Sequence, residues 1–178
     1  MKDLLKLARQ AIKSYLLEER KVEVNEDIRK KYSEKGASFV TLTEHGNLRG
    51  CVGSLDARQE LWRDVMNNAL NAAFRDSRFP PLTKDELDDI KIEISILSKP
   101  EKLDYKDEKD LLNKLDKKYG VVIKKEGRSA TYLPQVWDAL EDKEKFLASL
   151  CLKAGLTSDA WKEKDAEIFV YEVKKFEE

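Results

Sequence analysis

Apolar residues first recur at helical spacing. Leu4, Leu5, Ala8, Ile12, Tyr15 and Leu16 fall on one stripe, so the chain opens on an amphipathic helix. Residues 21–36 are polar and irregular. From Ala37 to Thr43 the side chains turn β-branched and aromatic. Leu48 to Gly53 answer them across Glu44-His45-Gly46-Asn47, with Gly46-Asn47 read as the turn of a hairpin. Asp56 and Gln59 have the spacing of a capping box for a helix whose buried face is Leu61, Val65, Ala69, Ala72 and Ala73. Pro80-Pro81 forbid a helix over 75–82, and Thr83 with Glu86 predicts a second capped, short helix. Ile90, Ile92, Ile94 and Ile96 alternate with polar residues, which defines a strand with one buried face.

Downstream, Leu111, Leu112, Leu115 and Tyr119 predict a helix over 107–119 with Gly120 as its C′ residue. Residues 121–124 and 129–133 flank Glu126-Gly127-Arg128 as a second hairpin, stopped by Pro134. Phe146, Leu147, Leu150, Cys151 and Ala154 stripe a helix closed by Gly155, and a last strand is expected over 168–173. Hairpins mixed with helices, without a βαβαβ rhythm, mean an α+β fold of mostly antiparallel sheet with flanking helices. The chain is read as one domain, 1–178. The polar segment 98–110, which contains Pro100, is read as a seam between two lobes.

Composition narrows the function by exclusion. The 178 residues carry 34 Lys and Arg against 35 Asp and Glu, a net charge of −1. That balance argues against non-specific nucleic-acid binding, which needs a cationic surplus. No apolar run is long enough to cross a bilayer, and the charged N-terminal segment is not a signal peptide. A cytoplasmic protein with Cys51 and Cys151 as free thiols is the expectation. Two cysteines and one histidine, His45, without short spacing make a poor metal set. No phosphate-cradling glycine loop is present, so no cofactor is expected. The Lys/Glu-rich stretches read as solvated faces, and Trp62, Trp137 and Trp161 as core.

The informative segment is Leu48-Arg49-Gly50-Cys51-Val52-Gly53. Two glycines in one strand indicate a bulge or the close approach of another group. On a regular strand Arg49 and Cys51 share a face, where the guanidinium can hold an anion or favour a thiolate. The plainer reading is a buried structural cysteine with Arg49 out in water. A hairpin turning at Glu44–Asn47 sets Cys51 opposite Val40 and about 10 Å from His45, at ~3.4 Å per residue. That leaves the thiol without a histidine base.

These residues also carry a resemblance. Phe39 to Leu55 (FVTLTEHGNLRGCVGSL) is similar to the signature of the AMMECR family, also called AmmeMemoRadiSam system protein A. The likeness continues through Asp76-Ser77-Arg78-Phe79-Pro80-Pro81-Leu82, Ile92–Ser98, Leu133-Pro134-Gln135-Val136-Trp137, Phe146-Leu147 and Lys153-Ala154-Gly155-Leu156. Val52 stands where the family commonly has isoleucine. The resemblance implies two lobes with a cleft between them lined by residues 48–53. It implies site roles for Asp76, Arg78, Pro134 and Gln135, a cytoplasmic location, and a pathway shared with a Memo-type protein and a radical S-adenosylmethionine protein. It supplies no reaction. Two readings follow: a binding or accessory module holding a small anionic ligand or a partner's peptide, which is preferred, and a thiol-dependent enzyme using Cys51 as nucleophile or redox centre.

Overall fold

The computed structural model describes residues 1–18 and 22–178. Their contacts divide them into two units, Met1–Leu97 with Lys174–Glu178, and Ser98–Val173.

The first unit is built on a sheet whose strands, in spatial order, are β2 (Asn47–Gly53), β1 (Lys35–Glu44), β4 (Ile90–Leu97) and β9 (Val173–Glu177). Strand β1 pairs antiparallel with β2 on one side and with β4 on the other. The register sets Val40 beside Ile94 and Leu42 beside Ile92, so the alternating isoleucines share one face with the buried residues of β1. Helices α1 (Lys2–Glu18) and α3 (Leu61–Phe74) contribute the other half of this core through Leu4, Leu7, Ala8, Ile12, Val65, Ala69 and Ala72. Tyr15, expected on the buried stripe, is half exposed and packs on Phe74. The hairpin turn is His45-Gly46, both at positive φ (50° and 82°), and Asn47 already pairs with Glu44. The turn is thus one residue earlier than the sequence suggested.

Three local expectations change. The polar stretch contains a helix, α2 (Glu26–Lys31), whose N-cap Asn25 accepts from the Asp27 N–H at 2.7 Å. Lys21, at the start of that stretch, lies outside the described residues. Asp56 and Gln59 do not cap α3. Gln59 and Glu60 form the short strand β3 against Lys35 and Gly36, and α3 begins at Leu61. Thr83 and Glu86 do bond as a capping pair, with Thr83 N–H and Oγ1 donating to Glu86 Oε2 at 2.7 and 2.8 Å, but residues 85–89 stay as turns.

The second unit holds a four-stranded antiparallel sheet, β5-β8-β6-β7. Its strands are β5 (Glu101–Lys102), β6 (Gly120–Lys125), β7 (Arg128–Tyr132) and β8 (Glu167–Tyr171). Helices α4 (Glu108–Lys114) and α5 (Lys143–Lys153), with 3-10 turns at Pro134–Asp138 and Ala160–Lys162, close a core of Leu111, Val121, Ile123, Phe146, Leu150 and Ile168. Trp137 stacks on Phe146 with ring centroids 3.4 Å apart. The helix read over 107–119 ends at Lys114. Gly120 is not its C′ residue but the first residue of β6, where a Cβ would run into the Tyr171 ring. The strand read over 168–173 is two: Glu172 separates β8 from β9 (Val173–Glu177), which pairs with β4.

Candidate functional site

The 48–53 segment is an edge strand with one extra residue. Thr43 pairs with Leu48 but Leu42 pairs with Gly50, so Arg49 is bulged out of the ladder. The slip sets Cys51 opposite Thr41, not Val40. Cys51 and Thr41 therefore project from the sheet face opposite Val40 and Leu42, and the Thr41 hydroxyl donates to Cys51 Sγ at 3.3 Å. Cys51 is half-buried, whereas Cys151 is buried and its burial pushes the thiol pKa up.

Arg49 does not reach water. Its side chain keeps 9% of its exposure and is paired with Glu86 through Nε at 2.5 Å and Nη2 at 3.2 Å. Nη1 is buried without a partner among the described residues. The Arg49 guanidinium and the Thr83 bonds hold the Glu86 carboxyl down to about 2. Gly50, next along, lies under the end of α3, where a Cβ would run into the Ala72 carbonyl oxygen. The bulge thus commits Arg49 to a buried ion pair, so it does not share the thiol's face as a regular strand would have it.

Asp76 and Arg78 do meet Cys51, through its backbone. Ser54 N–H bonds the Ser38 carbonyl at 2.9 Å. By the antiparallel alternation, the N–H and C=O of Cys51 and Gly53 then point away from β1. Asp76 Oδ2 accepts from the Cys51 N–H at 2.9 Å, and Arg78 Nη2 donates to the Cys51 carbonyl at 3.2 Å. Asp76 is gripped in turn by Arg78 Nε and Nη2 at 2.9 and 2.7 Å. Those bonds hold the Asp76 carboxyl well below the usual carboxylate range and raise Arg78. The Asp76 side chain is 6% exposed; that of Arg78 is 54% exposed, and its Nη1 makes no hydrogen bond among the described residues.

Leu48 is exposed, Val52 packs on the core, and Gly53 lies beneath the Phe39 ring. Pro134 and Gln135 belong to the second unit, at the start of its 3-10 turn. Among the described residues no group of three or more His, Cys, Asp or Glu is placed to hold a metal ion.

A family model described as AMMECR1 matches residues 5–176. The chain belongs to the AMMECR1 family. A protein of Nanoarchaeum equitans is 40% identical over 99% of both chains. One of Methanosarcina barkeri is 41% identical over 98% of this chain and 88% of its own. The crystal structure of an uncharacterised protein from Pyrococcus horikoshii superposes with a TM-score of 0.85 at 33% identity, covering 99% of this chain and 90% of that one.

This AMMECR1 fold also holds a polar cluster that none of the sequence motifs contains. Asp64, buried on α3, accepts from Ser38 N–H and Oγ (2.8 and 2.7 Å), Ser54 Oγ (2.7 Å), Gln59 Nε2 (3.0 Å) and Asn68 Nδ2 (2.9 Å). Five donors saturate the lone pairs of one carboxylate, so Asp64 has no capacity left for a ligand. It fixes the exit of β2 against α3. The available signal was the pair Asp64 and Asn68, two polar residues four apart among the small apolar positions of α3. The pairing of Glu86 with Arg49 and that of Thr41 with Cys51 carry no such signal, because the partners are distant in sequence or in the opposite strand.

Proposed function

We propose that this AMMECR1-family chain is a cytoplasmic binding or accessory module that holds a small anionic ligand, or an acidic stretch of a partner's peptide, beside Cys51. In this reading it acts in a pathway with Memo-type and radical S-adenosylmethionine proteins. The observation that carries it is Arg78. Its guanidinium is held by Asp76 and the Cys51 carbonyl, so its position is set before any ligand arrives, while the side chain stays half exposed and Nη1 makes no hydrogen bond among the described residues. A cation fixed in advance binds an anion without the entropy of ordering a long side chain. The Cys51 thiol supplies a weak second donor. Arg49, buried against Glu86 where Arg78 is half exposed, is not part of the binding set.

The test is an NMR titration of isotope-labelled protein with inorganic phosphate and with a short acidic peptide. Shifts should centre on residues 50–53 and 76–79 and be lost in Arg78→Gln. Binding that survives Arg78→Gln overturns the reading.

A second reading, thiol-dependent catalysis, is favoured by one contact, the Thr41 hydroxyl donating to Cys51 Sγ, since a donor to sulfur stabilises the thiolate. The rate of iodoacetamide labelling at neutral pH separates the two. Labelling of Cys51 no faster than that of a free cysteine fits the binding module, and labelling at least about a hundredfold faster fits the enzyme.

A further inference from the structure

An edge strand offers its outward N–H and C=O groups to any extended chain that reaches it, and folded proteins guard such edges with charge, bulges or cover. Strand β2 is the edge of its sheet. Its one charged residue, Arg49, is turned inward to Glu86. Leu48 and Leu55, flanking the outward groups of Cys51 and Gly53, are exposed. The bulge at Arg49 breaks the ladder at the Leu48 end, but from Gly50 to Gly53 nothing within the strand opposes pairing. Among the described residues, the only groups bonded to the outward face of Cys51 are the side chains of Asp76 and Arg78. A carboxylate oxygen sits where a neighbouring strand's carbonyl would sit, and a guanidinium N–H where its amide would sit.

We infer that Asp76 and Arg78 act as a surrogate strand that closes this edge, and that without them the chain pairs with a second copy of itself, β2 against β2. Identical antiparallel edges are in register about a two-fold axis at Cys51, where each copy's Cys51 N–H bonds the other's Cys51 carbonyl. Such a bonded pair has Cα atoms about 5.5 Å apart, within the reach of a short thiol cross-linker. The loop carrying the guard is anchored independently of it. Arg75 N–H bonds the Asn71 carbonyl, Leu82 N–H bonds the Ala73 carbonyl, and Leu82 is buried. Removing the two side chains thus opens the edge while the loop keeps its attachments. This inference does not rest on the anion reading, because phosphate binding and self-pairing are read separately.

The experiment compares wild type, Leu48→Lys, Asp76→Ala/Arg78→Ala and the triple variant. Mass is measured by light scattering after gel filtration. Treatment with a short bis-maleimide cross-linker follows, and the linked cysteines are located by mass spectrometry, with buried Cys151 as the internal control. The double variant should self-associate about tenfold more tightly than wild type or better, a shift of the size that one or two edge hydrogen bonds supply. It should link through Cys51, and Leu48→Lys should reverse both effects by placing a charge on the edge. A folded double variant with wild-type mass and no Cys51 link overturns the inference. So does association linked elsewhere or unrelieved by Leu48→Lys. If the double variant does not fold, Arg78→Ala alone leaves Asp76 on the Cys51 N–H. A weaker Cys51 link is then expected, and its absence overturns the inference equally.

Discussion

Arg49 carries its charge into the protein because one residue too many stands in β2. A buried guanidinium stripped of its carboxylate is expensive, so Arg49→Ala and Glu86→Ala should each lower stability by about 3 kcal/mol in urea melts. Exposed Leu48→Ala should stay within about 0.5 kcal/mol. An Arg49 out in water, the plainer reading of the strand, would behave like Leu48. The pair also sets a pH dependence. The Glu86 carboxyl lies at about 2 in the folded protein against 4.5 ordinarily. Its contribution is therefore complete above the ordinary value and lost as pH falls from there towards the folded one. Urea midpoints measured across that window should drop more for wild type than for Glu86→Gln. The two glycines in 48–53 were legible as the mark of a bulge or a close approach, and both occur. Which residue would bulge was not legible. Register follows from the hairpin turn and from a partner 37 residues on, and neither is written in the strand.

At the scale of elements, the glycines divide by what lies above them. Gly50 faces the backbone oxygen of Ala72, which moves only if α3 moves; Gly53 faces the Phe39 side chain, which can rotate away. Gly50→Ala should cost roughly 1–3 kcal/mol, and Gly53→Ala less. Phe39→Ala combined with Gly53→Ala should lose less than the sum of the single losses, as a double-mutant cycle would record. Strands β1, β2 and β4 were readable because alternation survives burial on one face: Val40, Leu42 and the isoleucines each name their side of the sheet. Helix starts were not. Gln59 has the spacing of a capping residue, yet its side chain bonds Asp64 and its backbone joins β1. Conversely, α2 escaped detection because six residues with no buried side chain leave no periodicity to read.

For the molecule as a whole, the second unit is one continuous segment with its own core, while the first is closed by a strand from beyond it. Residues 98–173 alone should therefore give a dispersed NMR spectrum and a cooperative melt. Removing residues 173–178 should destabilise the first unit. It takes away β9, the Phe176 contact with the core, and the Glu178 carboxylate that Arg9 grips while donating to the Leu87 and Ile90 carbonyls. The α+β class followed from element order. The division of residues 167–177 between two sheets did not, since Glu172 interrupts an otherwise continuous β pattern without glycine or proline to mark it. That division has a consequence for biosynthesis. A ribosome delivers β4 some 76 residues before β9 begins, counting from Leu97 to Val173. In that interval the isoleucine strand is an open margin, and the later-made, uninterrupted unit can finish folding first. Folding of the second unit ahead of the first would invert the usual N-to-C order of domain folding, and a chaperone attending the nascent chain would have β4 as its client.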